Sequence, residues 1–132
     1  MTDLKFRKAV RTCFYHYKKL LCLPPQWKIR IGINEKLKCF AEVDYNYDTK
    51  QFNVWVNPKL NQDLETLKDS ILHECFHIFF SPMTAKFDLL MEEIRNKRKI
   101  NYKVTKSKAL KWEEYFIDKL TKLICQLEKE QD

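Results

Sequence analysis

The chain has 132 residues, 45% of them hydrophobic and 33% charged, with one glycine and four prolines. Such a length suits a single domain over 1–132 with a modest core, and scarce glycine and proline argue against long low-complexity linkers. No run nears the ~18 apolar residues a membrane span needs, and Asp3, Lys5, Arg7 and Lys8 break up the N-terminus, so a soluble cytoplasmic protein is expected.

Residues 3–21 place Phe6, Val10, Cys13, Phe14, Tyr17, Leu20 and Leu21 near helical spacing, and Pro24-Pro25 ends that helix. Trp27 to Ile33 alternates apolar residues with Lys28, Arg30 and Gly32, as a half-buried strand does. Strands over Cys39–Tyr45 and Gln51–Val56 flank Asn46-Tyr47-Asp48-Thr49-Lys50, whose asparagine and aspartate supply hairpin turn chemistry. Asn57-Pro58 closes the third strand. Asn61 or Asp63 can cap a helix reaching Phe80, where Ser81-Pro82 stops it. A shorter helix over Ala85–Ile94, a basic loop over 95–108 and a last helix over Leu110–Leu127 complete the chain. The order predicts an α+β fold.

Charge is unevenly spread. Arg95, Lys97, Arg98, Lys99, Lys103, Lys106 and Lys108 fall in one stretch with no acid, and without them the chain is neutral. The five cysteines stand singly with no CxxC pair, as free thiols in a reducing compartment do. Close thiolate pairs for a cysteine zinc site are lacking too.

The chemistry concentrates at His73-Glu74-Cys75-Phe76-His77. On a helix, residues four apart share a face, so both imidazoles can point at one metal ion. Glu74 follows the first ligand directly and can act as general base on a water whose pKa zinc lowers to about 7. Two of the chain's three histidines lie in this motif. Leu64, Leu67, Ile71, Leu72, Cys75, Ile78 and Phe79 cluster on one side of the helix at ~100° per residue, with His73 and His77 opposite. The site is therefore expected between this helix and the C-terminal one.

A catalytic zinc site usually takes a third protein ligand. Phe80 and Met83 occupy the glycine and histidine positions of the extended HExxHxxGxxH form, which excludes it. Asp88, Glu92, Glu93, Glu113, Glu114 and Asp118 remain. Glu92 and Glu93 fall off the apolar face of their helix and are expected in solvent. Glu113 projects inside an arc running through Trp112, Phe116, Leu120 and Ile117, where a carboxylate needs a partner such as a metal. Glu113 is the expected third ligand, with Glu114 as the alternative, and Asp118 is placed to orient a ligating histidine.

A Trp-initiated strand, a hairpin ending Val-Asn-Pro, an HExxH helix with apolar flanks and a late Glu-Glu pair resemble the minimal gluzincins over about residues 25–127. The likeness is to the small HExxH proteins of phages and mobile elements in particular. It implies a zincin-like fold and a metallopeptidase in which His73, His77 and Glu113 hold Zn2+ and Glu74 is the base. The gap between His77 and the glutamate pair is long and holds the basic stretch.

A protein or peptide substrate could pair with the edge of the sheet, along either hairpin strand. Tyr45, Tyr47, Tyr102 and Tyr115 are candidates for oxyanion stabilisation, whereas His16 is read as a surface or core residue. The basic segment could recruit nucleic acid, as in SprT-like DNA-associated proteases, although Tyr102 is its sole aromatic. A non-catalytic binding protein on the same fold is the remaining alternative.

Overall fold

The computed structural model describes residues 2–98 and 102–131; the side chains of 94, 95, 97, 98 and 102–108 are outside that description. Three helices and three strands follow in the order α1 (Asp3–Leu20), β1 (Lys28–Ile33), β2 (Ala41–Asn46), β3 (Gln51–Val56), α2 (Leu64–Arg98) and α3 (Tyr102–Gln131). The Thr2 side chain accepts from the Lys5 N–H to cap α1, whose Phe6, Val10, Cys13, Phe14 and Tyr17 are buried at helical spacing.

The small open sheet has the order β1-β3-β2 and is mixed. β3 runs parallel to β1, with Ile31 opposite Val54, and antiparallel to β2, with Val43 opposite Val54. The link through residues 34–40 therefore crosses past the position of β3, and β2 becomes an edge strand. Alternation along β3 buries Phe52, Val54 and Val56 and turns Gln51, Asn53 and Trp55 to the other face. Gly32 lies opposite Trp55, whose ring fills the space a Cβ would need (2.6 Å). The buried face packs on α1 and on Leu67, Ile71, Leu72, Cys75 and Ile78 of α2.

Two expectations about the helices are corrected. Ser81-Pro82 does not stop the helix that carries the motif: α2 continues through Pro82 to Arg98, absorbing the separate helix expected over Ala85–Ile94. Proline removes the N–H that would bond to the Ile78 carbonyl. Ser81 replaces it, its buried Oγ donating to Ile78 O at 2.7 Å. The basic stretch 95–108 is likewise not a loop over its described length, since 95–98 end α2 and 102–108 begin α3. Lys99 lies outside the described residues.

All five cysteines are free, Cys13 and Cys75 buried. No described helix is long and apolar enough to cross a membrane.

Candidate metal centre

The N-terminus of α2 is fixed by Asp63, which accepts from the Thr66 N–H and hydroxyl at 2.8 Å each. Asn61, the other candidate cap, acts differently. It is fully buried and donates to Phe40 O at 2.8 Å and Asn57 O at 2.7 Å, while Ser70 Oγ donates to its Oδ1 at 2.6 Å. One amide thus ties the 37–40 loop to the first turns of α2, beside the residues of the motif.

From this start α2 turns its apolar stripe to the sheet, so that His73 and His77 face α3. The imidazoles converge, with Nε2 of His73 3.2 Å from Nε2 of His77. The Glu114 carboxylate bridges them, Oε2 lying 3.2 Å from Nε2 of His73 and Oε1 2.7 Å from Nε2 of His77. The far nitrogens are also engaged. Asp118 Oδ1 lies 3.1 Å from Nδ1 of His73, and Glu113 Oε1 lies 3.2 Å from Nδ1 of His77.

Each ring thus meets carboxylates at both nitrogens, Glu114 on the inner pair and Asp118 and Glu113 on the outer. Because a carboxylate only accepts, the outer acids favour a proton on each Nδ1, which leaves an Nε2 lone pair available to a cation placed among the inner atoms. Without a cation the inner carboxylate can equally take an N–H from Nε2. Ligand atoms about 2.0–2.1 Å from a tetrahedral zinc ion stand roughly 3.3 Å apart, close to the spacing here. Among the described residues, His73, His77 and Glu114 form a group that could hold a metal ion.

Glu113, the expected third ligand, is thus on the outer nitrogen of His77 and outside the converging group; the alternative, Glu114, takes its place. The arc used to choose between them is not the inner face of α3. Trp112 and Phe116 are 62% and 54% exposed, whereas Ile117 and Thr121 are buried. At ~100° per residue the inner stripe centres on Ile117, Thr121 and Ile124, with Glu113 on one flank and Glu114, its side chain 51% exposed, on the other. Both glutamates border that face, so helical spacing by itself does not separate them. Asp118 stands where a histidine-orienting residue was expected. Asp88 is lodged away from the converging group, in the wall of an apolar pocket described below. Glu92 and Glu93 are exposed, as expected.

Glu74 lines the same cleft as the histidines and is 6% exposed. Burial pushes its carboxyl up to about 7; the nearby His77 draws it down, and the charges of Glu114 and Glu42 raise it further. For His77, burial disfavours the charged ring, but the hydrogen bond its Nδ1–H donates to Glu113 and the charges of Glu74, Glu114 and Glu113 prevail and raise its pKa. A divalent cation competes with that proton for Nε2. Cys75, within the motif, is held protonated by burial, its pKa pushed up to about 12, and faces the core.

A cleft of about 410 Å³ opens over these residues, walled by Ala41, Glu42, Val43 and Tyr45 of β2 on one side and Leu110, Glu113 and Glu114 of α3 on the other. Of the two hairpin strands, β2 is therefore the one whose edge borders the site. Of the tyrosines, Tyr45 alone among the described side chains lines this cleft. Burial raises its pKa, assisted by the charges of Glu113 and Asp88, and keeps its hydroxyl a donor. Tyr47 packs beside Trp27, and Tyr115 beside Trp112 and Phe116. The Tyr102 side chain lies outside the description. His16 joins neither site nor core; it pairs with Glu128 at 2.8 Å. Beyond Thr84, Leu110 and Glu113 the cleft adjoins an apolar pocket of about 260 Å³ between Met83, Phe87, Trp112 and Phe116.

Comparison with protein-family models, with curated proteins and with solved structures finds no match.

Proposed function

We propose that this chain is a zinc metallopeptidase of zincin type, hydrolysing peptide bonds of a protein or peptide with Glu74 as general base. The reading rests on one observation above the others: two Nε2 atoms and the Glu114 carboxylate converge, while the outer nitrogens of the rings are held by Asp118 and Glu113. Two nitrogens and one carboxylate oxygen suit zinc and leave a fourth position open.

When bound, zinc supplies Lewis acidity, lowering the pKa of water to about 7 and polarising a carbonyl. The protein residues provide the rest. Glu74 has a proton affinity matched to neutral pH, so it can take a proton from the attacking water and pass it to the leaving amine. Asp118 and Glu113 keep both rings in the tautomer that offers Nε2. The free edge of β2 can pair with an extended peptide backbone, and the Tyr45 hydroxyl can donate to a developing oxyanion.

The test compares wild type with Glu74→Gln for zinc content and for release of fragments from a denatured protein substrate. Wild type is expected to bind about one zinc per chain and cut, and Glu74→Gln to keep the metal while losing at least roughly 100-fold in rate. A zinc-loaded wild type that cuts nothing, with Glu74→Gln indistinguishable from it, would remove the catalytic reading.

A further inference from the structure

Next to the metal cleft, and sharing Ala41, His73 and Glu74 with it, lies a second pocket of about 290 Å³ with a different character. Its floor holds Thr121, 5% exposed, whose hydroxyl has no hydrogen-bond partner among the described residues. A buried hydroxyl left unpaired is costly, and most buried polar atoms are paired. Threonine in a helix commonly satisfies itself on the carbonyl four residues back; Thr121 does not. The walls add Asp69 and Asp118 with a single cation, Lys122, which is exposed and forms no ion pair with a described carboxylate. Asp118 spends one oxygen on His73. A carboxylate can accept about four hydrogen bonds, so both aspartates retain capacity toward the pocket.

The geometry points to a subsite for an organic cation of the substrate, a lysine or arginine side chain or a peptide's N-terminal ammonium, held by Asp69 and Asp118 with the Thr121 hydroxyl as a further acceptor. This inference rests on the peptidase reading for its substrate but concerns a separate cavity. The cation would sit immediately beside the metal position, on the His73 side, so the subsite selects which bond of a peptide lies over the zinc. An ammonium offers donors only and matches an acceptor-rich pocket, whereas a carboxylate would meet two aspartates.

Binding is measured by fluorescence anisotropy with zinc-loaded, full-length Glu74→Gln, which cannot turn the probes over. The probes are labelled peptides of one apolar sequence carrying lysine, arginine, norleucine or glutamate at each position in turn, with free or acetylated N-termini. Lysine or arginine at one fixed position, or the free N-terminus, is expected to improve affinity on the order of tenfold over norleucine or the acetylated form, less so at high salt. The two arms tell side chain from terminus. Asp69→Asn and Thr121→Val, each introduced into the Glu74→Gln protein, should both shrink the preference. Thr121→Val should leave the melting temperature unchanged or raised, because the hydroxyl contributes no bond within the fold. Equal binding of all probes, a preference untouched by both substitutions, or tighter binding of glutamate through Lys122 overturns the assignment. Wild type that cuts peptides with no cationic preference defeats this inference alone. Selective binding of cationic peptides without cleavage by wild type defeats the peptidase reading alone.

Discussion

Asp118 Oδ1 stands 3.1 Å from Nδ1 of His73, and Glu113 stands in the same relation to His77, 3.2 Å from its Nδ1. Each ring is therefore held at its outer nitrogen by an acid that orients it and favours a proton on Nδ1. Removing such a partner typically weakens metal binding 10–100-fold. Asp118→Ala is expected to bind zinc about 10–100-fold more weakly than wild type in a competition titration with a chelator. An unchanged affinity would show that His73 needs no orienting acid.

Glu114 and Glu113 should separate in the same titration. Glu114→Ala removes a carboxylate from the converging group and should abolish stoichiometric zinc. Glu113→Gln leaves that group intact and should still saturate at higher zinc, with affinity lowered roughly 10–100-fold. Full zinc retention in Glu114→Ala would return the ligand role to Glu113.

The passage of α2 through Pro82 depends on Ser81. Ser81→Ala strips the buried Ile78 carbonyl of the 2.7 Å bond it receives from the hydroxyl and is expected to cost about 1–3 kcal/mol in urea unfolding. Ser81→Ala combined with Pro82→Ala should recover most of that loss, because alanine at 82 restores the N–H that closes the helical bond. A double variant no more stable than Ser81→Ala would mean the carbonyl is not the cause.

Asp63 ties stability to acid pH. Hydrogen bonds from the Thr66 N–H and hydroxyl hold its carboxyl below the ordinary range. Its folded pKa is lower than its unfolded one, so the folded state binds this proton less tightly and the stabilisation is present above the unfolded value of 3.8. It is lost as pH falls through the folded value. Asp63→Asn keeps an acceptor for the Thr66 N–H but cannot titrate. Thermal melts of the two proteins should differ at neutral pH and converge as the pH falls through the folded value of Asp63. A gap that persists at the acid end would rule out titration of this cap as its origin.

Much of the fold was legible locally. The amphipathic spacing of Phe6 to Tyr17, the alternation along β3 and the asparagine turn at 46–50 each report a face or a turn within a few residues of sequence. The motif was legible for the same reason, since a helix brings His73 and His77 together whatever surrounds it. The helix end at Ser81-Pro82 was misread because the proline rule speaks only of the missing donor, and a serine hydroxyl one residue earlier supplied another.

The sequence by itself determined that two histidines and a glutamate share one helix, that its apolar stripe lies opposite the histidines, and that a later helix carrying Glu113, Glu114 and Asp118 is available to face them. Only the tertiary structure decided which acid does what: Glu114 between the rings, Glu113 and Asp118 behind them. That choice turns on the rotation of α3 about its own axis, one residue being about 100° of turn. The rotation goes with the packing of Ile117, Leu120, Ile124 and Cys125 into the core beside α2, contacts between residues some fifty positions apart that no local pattern encodes.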